Sequence, residues 1–267
     1  MKFRALLGSF IFISLGIATA PAQDWAKERL NKSSRHSEWV DLKRDGRTVK
    51  TFTVYPEVKM KAPVVLIVHE IFGLTDWAKE VADEVAAAGY IAIMPDLLSA
   101  PGKDTSSYPD QGAAIKAVSA LPDEQVFADL DAAADYAAKL PASNGHLAIA
   151  GFCWGGGKAF AYANHNPKLK AAFVFYGTGP AEKAQAANIP CPVYGFYGEE
   201  DARVGATIPQ TTEVMKELGK TYQPVTYPGA GHGFMRAGEA PDASEANRRA
   251  RDAAWERWKS LLQKLQS

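Results

Sequence analysis

Cysteine and net charge are the two features that this sequence most clearly lacks. Only two of its 267 residues are cysteines, Cys153 and Cys191, too few for the multi-disulfide framework of a small secreted scaffold. We expect both to be free, with Cys191 as a small buried apolar residue. Basic and acidic residues number 30 each, so the formal net charge is zero. That balance gives no indication of a nucleic-acid partner or of binding to an anionic membrane surface.

Long hydrophobic runs are equally scarce, and the one candidate stands at the N-terminus. It begins after Lys2 and Arg4, continues through residues 5–18 and ends in small residues, which is the layout of a secretory signal peptide. The run is too short for a comfortable membrane span, although an uncleaved anchor is the alternative. We therefore expect a soluble protein, exported to the periplasm or secreted, with no stable membrane association after cleavage.

The predicted domain organisation follows from that N-terminus. Residues 1–22 are assigned to the signal peptide, because the small-x-small pattern ending at Ala22 predicts cleavage there. Residues 23–36 are polar and are expected to form a loose leader. Residues 37–267 contain neither an internal repeat nor a linker that would divide them, so they are predicted to form a single domain. We expect this domain to be a monomer.

Motifs for phosphate, dinucleotides and zinc are also missing. A phosphate loop would need glycine where Phe152 stands, and the glycines around Gly229 are a lone cluster rather than a dinucleotide fingerprint. His69 and Glu70 do not form a zinc motif, because Gly73 occupies the position of its second histidine. No cofactor and no metal ion are therefore expected.

What the sequence does contain is a regular alternation of strand and helix patterns. Two alternating runs flank Asp45-Gly46, which is a strong hairpin signal. The unbroken apolar run APVVLIVHE suits a strand covered on both faces. A loop rich in Gly, Pro and Ser is predicted at residues 97–112. From about residue 121 onward, helical and strand patterns alternate along the chain and include a helix over residues 180–188. These patterns predict an α/β fold with a doubly wound, mainly parallel sheet and helices on both of its faces.

A glycine-dense turn between a predicted strand and a predicted helix holds the first candidate for chemistry. Its sequence, Gly151-Phe152-Cys153-Trp154-Gly155, has the form G-x-nucleophile-x-G. Such an elbow is strained, and glycine at the flanking positions avoids collisions between strand and helix. The turn lifts the nucleophile above the sheet, and the helix N-terminus stabilises a thiolate. The alternative is a glycine-rich turn with an incidental cysteine.

Two later strand ends supply possible partners for Cys153. One predicted strand runs into Glu199, Glu200 and Asp201, and the last one runs into His232 among glycines. The chain order of nucleophile, acid and histidine is typical of α/β-hydrolase triads. Spacing alone leaves open which carboxylate orients the histidine.

These residues predict acyl transfer through a covalent intermediate. His232 takes the thiol proton, and the Cys153 thiolate attacks an acyl carbonyl to form a thioester that water hydrolyses. The oxyanion requires preorganised N–H donors. One is expected at Trp154, directly after the nucleophile, and another in the loop that follows APVVLIVHE.

Five short motifs also carry a family resemblance. HEIFGL, MPDLLS, GFCWGGGKAF, YGEED and GHGFMR together resemble the dienelactone hydrolase (carboxymethylenebutenolidase) family, from about the hairpin to the C-terminal helix. The resemblance implies an α/β-hydrolase fold and a Cys–Asp–His triad that matches Cys153, Asp201 and His232. It also implies that backbone N–H groups of Ile71 and Trp154 form the oxyanion hole, and that the substrate is a small lactone or ester.

The same resemblance implies roles for two further charged residues. Glu70 matches a glutamate that holds the resting thiol until substrate frees it, and Arg236 matches one of two arginines that clamp a substrate carboxylate. The second arginine is expected where this chain has Ala100, and Lys103 nearby is only a partial substitute. We therefore expect dienelactone to be a poor substrate compared with a less anionic lactone or ester.

Two other functions are compatible with the same residues. A broader carboxylesterase or thioesterase would use the same triad on other acyl groups. A non-catalytic binding protein of the α/β-hydrolase type is the alternative from a different class, and the intact nucleophile, acid and histidine weigh against it.

Overall fold

A computed structural model describes residues 23–266 of the chain. The predicted signal peptide, residues 1–22, lies outside the described residues. Among the helices within that range, none is both long enough and apolar enough to cross a membrane.

One eight-stranded sheet forms the centre of the fold. The strands are β1 Ser37–Arg44, β2 Arg47–Val54, β3 Ala62–Val68, β4 Ile91–Pro95, β5 Ser143–Phe152, β6 Leu169–Phe175, β7 Val193–Gly198 and β8 Tyr222–Tyr227. They lie in the order β1-β2-β4-β3-β5-β6-β7-β8. Pairing is antiparallel between β1 and β2 and between β2 and β4, and parallel from β4 through β8. The predicted mainly parallel sheet is confirmed.

The hairpin that opens the sheet follows from its turn residues. Asp45 and Gly46 link β1 to β2 with φ angles of 50° and 77°, which is the backbone conformation required by a tight two-residue hairpin turn. Aspartate and glycine tolerate that conformation better than most residues. The register that results pairs Arg44 with Arg47 and Trp39 with Phe52.

Helices cover both faces of the sheet. They are α1 Asp24–Lys32, α2 Asp76–Ala87, α3 Gln111–Ser119, α4 Asp123–Lys139, α5 Trp154–His165, α6 Ala202–Gly205, α7 Ile208–Glu217, α8 Phe234–Ala237 and α9 Glu245–Leu262. The apolar faces of α1, α2, α8 and α9 share one core with the sheet, while α4, α5 and α7 share a second core on its other face. Alternate residues of the central strands point into each core, so these strands are buried throughout, as the unbroken apolar run predicts.

The loose leader expected at residues 23–36 is wrong, because most of it is the helix α1, which packs on α2. Ala26 is completely buried, and the side-chain carbonyl of Gln23 accepts a hydrogen bond from the Trp77 N–H at 3.0 Å. Arg29 reaches across to Glu80 at 2.9 Å. The segment has few apolar residues, and long-range polar contacts supply the rest of its anchoring.

Two other segments differ from the sequence interpretation. Residues 111–119, which begin within the last two residues of the expected loop, form α3, whose N-terminus is capped by Asp110 through the Ala113 N–H at 2.8 Å. The helix expected at 180–188 is only a single turn, Lys183–Gln185. There the Gln185 side chain accepts from two upstream backbone N–H groups, which closes the turn locally instead of extending a helix.

Candidate active site

The turn between β5 and α5 has the geometry of a nucleophile elbow. Cys153 adopts φ 55° and ψ −119°, a strained conformation that costs about 1–3 kcal/mol for a residue with a side chain. A Cβ at Gly151 would lie 2.5 Å from the Gly155 carbonyl carbon, and one at Gly155 would lie 2.5 Å from the Val68 carbonyl oxygen. Both flanking glycines are therefore required for the close approach of β3, β5 and α5.

His232 links the cysteine to a buried carboxylate. Its Nε2 lies 3.1 Å from the Cys153 Sγ, while its Nδ1 is hydrogen-bonded to the Asp201 carboxylate. The hydrogen bond to Cys153, opposed in part by burial and supported by Asp201, raises the pKa of His232 to about 9. An imidazole held between a thiol and a carboxylate in this way can accept the thiol proton and remain charged beside the thiolate.

The structure also decides which of the three acidic residues after β7 faces the histidine. Asp201 is almost completely buried and caps the short helix α6, accepting from the Val204 N–H at 3.3 Å. Glu199 instead accepts from the Gly229 N–H at 2.9 Å, and Glu200 is exposed. Cys153, Asp201 and His232, predicted as a triad, therefore lie together at the carboxyl ends of β5, β7 and β8.

The buried Glu70 and the partly exposed Arg236 form an ion pair at the same edge of the sheet. The Arg236 Nε donates to Glu70 Oε2 at 2.8 Å, and the guanidinium lies 5.0 Å from the centre of the Phe72 ring. Burial raises the pKa of the Glu70 carboxyl, and the Arg236 charge opposes that shift. The thiol contacts His232 while the glutamate contacts the arginine, so Glu70 and Arg236 are close to the reactive atoms without engaging them here.

The two residues expected to form the oxyanion hole flank the nucleophile. Trp154 is the first residue of α5, where a backbone N–H has no acceptor within the helix. Ile71 follows β3 and lines the same cavity as Cys153 and Trp154. Behind them, the buried His69 ring stacks on the Trp154 ring at 5.9 Å between centroids.

Cys153 opens into a cavity of about 620 Å³. Aromatic rings of Phe127, Trp154, Phe160 and Tyr176 contribute to its lining. This volume and aromatic character suit an organic substrate of modest size. Charged side chains in the lining come from α4, α5 and α6.

Tyr176 is a site residue that the sequence analysis did not single out. It follows β6 with φ 40°, and its ring packs edge-on against His232 at 5.2 Å. Its hydroxyl is buried without a hydrogen-bond partner among the described residues, and burial, together with the nearby Glu70 charge, raises the pKa of the phenol well above its usual value. The available signal was its position at the carboxyl end of a strand, next to Gly177, where the other site residues also lie.

The second cysteine takes no part in this arrangement. Both cysteines are free, as expected, and Cys191 is buried whereas Cys153 is partly exposed. Burial raises the pKa of the Cys191 thiol to about 12. A thiol in that environment is unreactive at neutral pH.

One carboxylate cluster has spacing suited to a metal ion within the described part of the chain. It consists of Glu80, Glu84 and Glu239, and none of these belongs to the triad. Two arginines already pair with the cluster, Arg29 with Glu80 and Glu239 and Arg251 with Glu84 and Glu239. Their positive charges oppose the binding of a cation.

Comparison with known proteins identifies relatives of this chain. The model of the dienelactone hydrolase family matches residues 49–266. A Methylorubrum extorquens protein assigned as a carboxymethylenebutenolidase is 38% identical over 183 residues, which is 64% of this chain and 63% of that relative. A Salmonella typhimurium protein with the same assignment is 35% identical over 206 residues, 73% of this chain and 74% of the relative. The chain thus spans just under two thirds of the first relative's length.

Solved structures give the same result for the fold. A crystal structure from Klebsiella pneumoniae, described as a dienelactone hydrolase, superposes with a TM-score of 0.76 at 30% identity and covers 86% of this chain and 99% of its own. An acylaminoacyl peptidase from Pyrococcus horikoshii, at 16% identity and a TM-score of 0.65, shares the fold alone, covering 88% of this chain and 42% of the peptidase. The predicted α/β-hydrolase fold is confirmed.

Proposed function

The chain belongs to the dienelactone hydrolase family, whose members are hydrolases of ester bonds, and from this premise we propose that it hydrolyses lactones or small esters with Cys153 as nucleophile. His232 acts as the general base and Asp201 orients it. The observation that carries the proposal is that His232 contacts the Cys153 sulfur through one ring nitrogen and the Asp201 carboxylate through the other.

The reaction follows from these contacts in two halves. The thiol proton moves to His232 Nε2, and the thiolate attacks the acyl carbonyl carbon while backbone N–H groups of Ile71 and Trp154 stabilise the oxyanion. Collapse expels the alkoxide, which takes the proton from His232 and leaves a thioester on Cys153. Water then attacks the thioester with His232 as base, and the acid product and free thiol are released.

The test of the nucleophile is a Cys153→Ala variant assayed with a panel of lactones, aryl esters and thioesters. We expect kcat to fall by about 10⁴–10⁶-fold while circular dichroism and Tm show an intact fold. Cys191→Ala is the matched control and should leave turnover unchanged, because that thiol is buried. Near-normal turnover by a folded Cys153→Ala protein would reject the proposal.

Thiol labelling distinguishes this enzyme from a binding protein with the same fold. Iodoacetamide should modify Cys153 and not Cys191, and an ester substrate should protect Cys153 transiently as the thioester forms. Mass spectrometry of the quenched reaction should detect the acyl adduct on a peptide that contains Cys153. Rapid labelling without any turnover across the panel would favour the non-catalytic binding protein.

Glu70 and Arg236 are proposed to hold each other in the reactive state. With Arg236 donating to its carboxylate at 2.8 Å, Glu70 is withheld from the thiol, which is left to His232. A resting state in which Glu70 holds the thiol, as the family implies, requires this ion pair to open. In that role Arg236 could bind a substrate carboxylate only by giving up its buried partner.

The incomplete arginine clamp keeps dienelactone a poor substrate in this proposal. Ala100 stands at the expected position of the second arginine and forms a tight bridge with Lys103, in which the Lys103 N–H donates to the Ala100 carbonyl at 2.9 Å. A flexible lysine in that turn offers a point charge rather than a bidentate fork. Carboxylesterase or thioesterase activity on other small acyl groups is the alternative that the substrate panel would reveal.

Export is proposed on the N-terminal sequence alone. Lys2 and Arg4, the short apolar run and the small residues before Gln23 are the features that support it. Mass spectrometry of the native protein from its source should find an N-terminus at Gln23 in the periplasmic or extracellular fraction. Recovery of the chain with its first residues intact, in cytoplasm or membrane, would contradict export.

A further inference from the structure

The charges that line the cavity do not balance. Three charged side chains contribute to its wall: Asp123, Lys158 and Arg203. Lys158 forms an ion pair with Asp123, and its ammonium lies 5.2 Å from the centre of the Trp154 ring. The Arg203 side chain makes neither a hydrogen bond nor an ion pair with any residue in the range 23–266. The wall therefore presents one positive charge that no other side chain of the lining neutralises, in the same cavity as Cys153.

Backbone geometry ties the position of Arg203 to the triad. It is the second residue of α6, the short helix that Asp201 caps through the Val204 N–H at 3.3 Å. Val204 is buried and anchors α6 in the protein interior, whereas Arg203 is exposed. The guanidinium thus extends from a fixed point next to the residue that orients His232, with its hydrogen-bond donors available.

We propose that Arg203 is a specificity-determining residue that binds a carboxylate on the substrate, so that the preferred ester carries an anionic group at some distance from its acyl carbon. This inference rests on the proposed function, because it assigns a substrate class to the same site. A guanidinium binds a carboxylate through two parallel hydrogen bonds, which fixes orientation as well as charge.

Arg203 changes the expectation drawn from the family's arginine positions. That expectation of a less anionic substrate considered only Arg236 and Ala100. In the structure Arg236 is paired with Glu70, whereas Arg203 lines the cavity and has no anionic partner. In this proposal a substrate carboxylate is therefore bound by Arg203 on α6 instead of by Arg236. An ester with a flexible chain that ends in a carboxylate is the substrate class that this wall would recognise.

The test compares two esters of the same length in wild type and in Arg203→Gln. One is monophenyl adipate, and the other has a carboxamide in place of its free carboxylate. Wild type should prefer the anionic ester, and Arg203→Gln should reduce kcat/KM for it by about tenfold, mainly through KM, because one charged hydrogen-bonding partner is lost. The neutral ester should be hydrolysed equally by both proteins. Arg203→Glu should lower kcat/KM for the anionic ester further.

Arg249→Gln is the matched control, since Arg249 is an exposed arginine on α9 paired with Glu245. It should leave kcat/KM for both esters unchanged. Equal kcat/KM for the two esters in wild type, or equal loss of both in Arg203→Gln, would overturn the role of Arg203 while the triad proposal stands. Absence of turnover for both esters and for the wider panel would reject the proposed function, and the role of Arg203 with it.

Discussion

At the scale of single residues, the site consists of three side chains connected by a chain of hydrogen bonds. The Asp201 carboxylate, the two ring nitrogens of His232 and the Cys153 sulfur follow one another in direct contact. Each member sets the protonation of the next: the carboxylate fixes Nδ1 as a donor, which leaves Nε2 to exchange a proton with sulfur. Burial of Asp201 strengthens this effect, because little water competes for its charge.

Replacing Asp201 with asparagine, which has nearly the same shape, tests the role of the carboxylate in this chain of hydrogen bonds. We expect kcat/KM for an ester to fall by about 10²–10⁴-fold, because the amide neither stabilises the imidazolium nor enforces the tautomer. Glu199→Gln is the control, since Glu199 is a neighbouring carboxylate that accepts from the Gly229 N–H instead. If both variants lose the same small factor, Asp201 does not orient His232.

The pH dependence of turnover reports the charge on His232. Its pKa is raised to about 9 by the hydrogen bond to Cys153 and by Asp201, so the imidazolium persists below that pH and is lost above it. We therefore expect kcat/KM to fall on the alkaline side with an apparent pKa near 9, as the proton for the leaving group disappears. In Asp201→Asn the alkaline limb should move to lower pH. If the alkaline limb keeps the same apparent pKa in Asp201→Asn, the limb does not report the ionisation of His232.

At the scale of elements, the elbow depends on how closely β3, β5 and α5 approach one another. They are so close that even the Cβ atom of an alanine at Gly151 or Gly155 would collide with backbone atoms.

Gly155→Ala should destabilise the fold by about 2–4 kcal/mol, since its Cβ would meet the backbone of Val68 and His69, which cannot move aside. Gly157→Ala is the matched control in the same helix. There the nearest atom to a new Cβ is the Thr178 Oγ1 at 3.4 Å, so alanine should be neutral or stabilise by up to about 1 kcal/mol.

Urea denaturation of both variants measures the difference. Equal midpoints for Gly155→Ala and wild type would show that α5 can shift away from β3 at little cost. A loss of stability in Gly157→Ala comparable to that of Gly155→Ala would show instead that any alanine in the first turn of α5 is tolerated poorly. Either result would contradict the close-approach argument for the elbow glycines.

The elements that sequence reasoning predicted well are those whose signals are local. The Asp45-Gly46 hairpin and the glycine-flanked Cys153 turn depend on backbone conformations that neighbouring residues alone require. Helix α1 was missed because its anchors lie far along the chain: Arg29 pairs with Glu80 and with Glu239, which are 51 and 210 residues away. Sequence alone could likewise not predict that the Arg203 side chain has no partner, since this depends on where all other charged groups lie in the fold.

At the scale of the whole molecule, a partly buried charge cluster joins the N-terminal helix α1 to the body of the fold. Arg29 of α1 and Arg251 of α9 both donate to Glu239, while Glu80 and Glu84 of α2 complete the group. Three carboxylates face two guanidinium groups, so full ionisation would leave one negative charge buried. Burial and the neighbouring carboxylates raise the pKa of Glu239 to about 9, which keeps a proton in the cluster at neutral pH. One carboxylate oxygen from each glutamate lies within 4.8 Å of the other two, and Glu80 Oε2 has no hydrogen-bond partner among residues 23–266.

This cluster predicts how stability changes with pH. An unfolded glutamate ionises near pH 4.5 and the folded Glu239 near 9, so between these values the folded state binds more protons and stability falls as pH rises. Glu239→Gln keeps an acceptor for Arg251 but cannot ionise, so its Tm should depend less on pH. Between pH 6 and 9, we expect the free energy of unfolding of wild type to fall by at least about 1 kcal/mol relative to Glu239→Gln, or about 2–4 °C in Tm.

Glu245→Gln is the control, because Glu245 is an exposed glutamate of α9 paired with Arg249, and its Tm should follow that of wild type. A Glu239→Gln curve parallel to both would mean that Glu239 is already ionised in the folded protein, its charge carried by Arg29 and Arg251 alone.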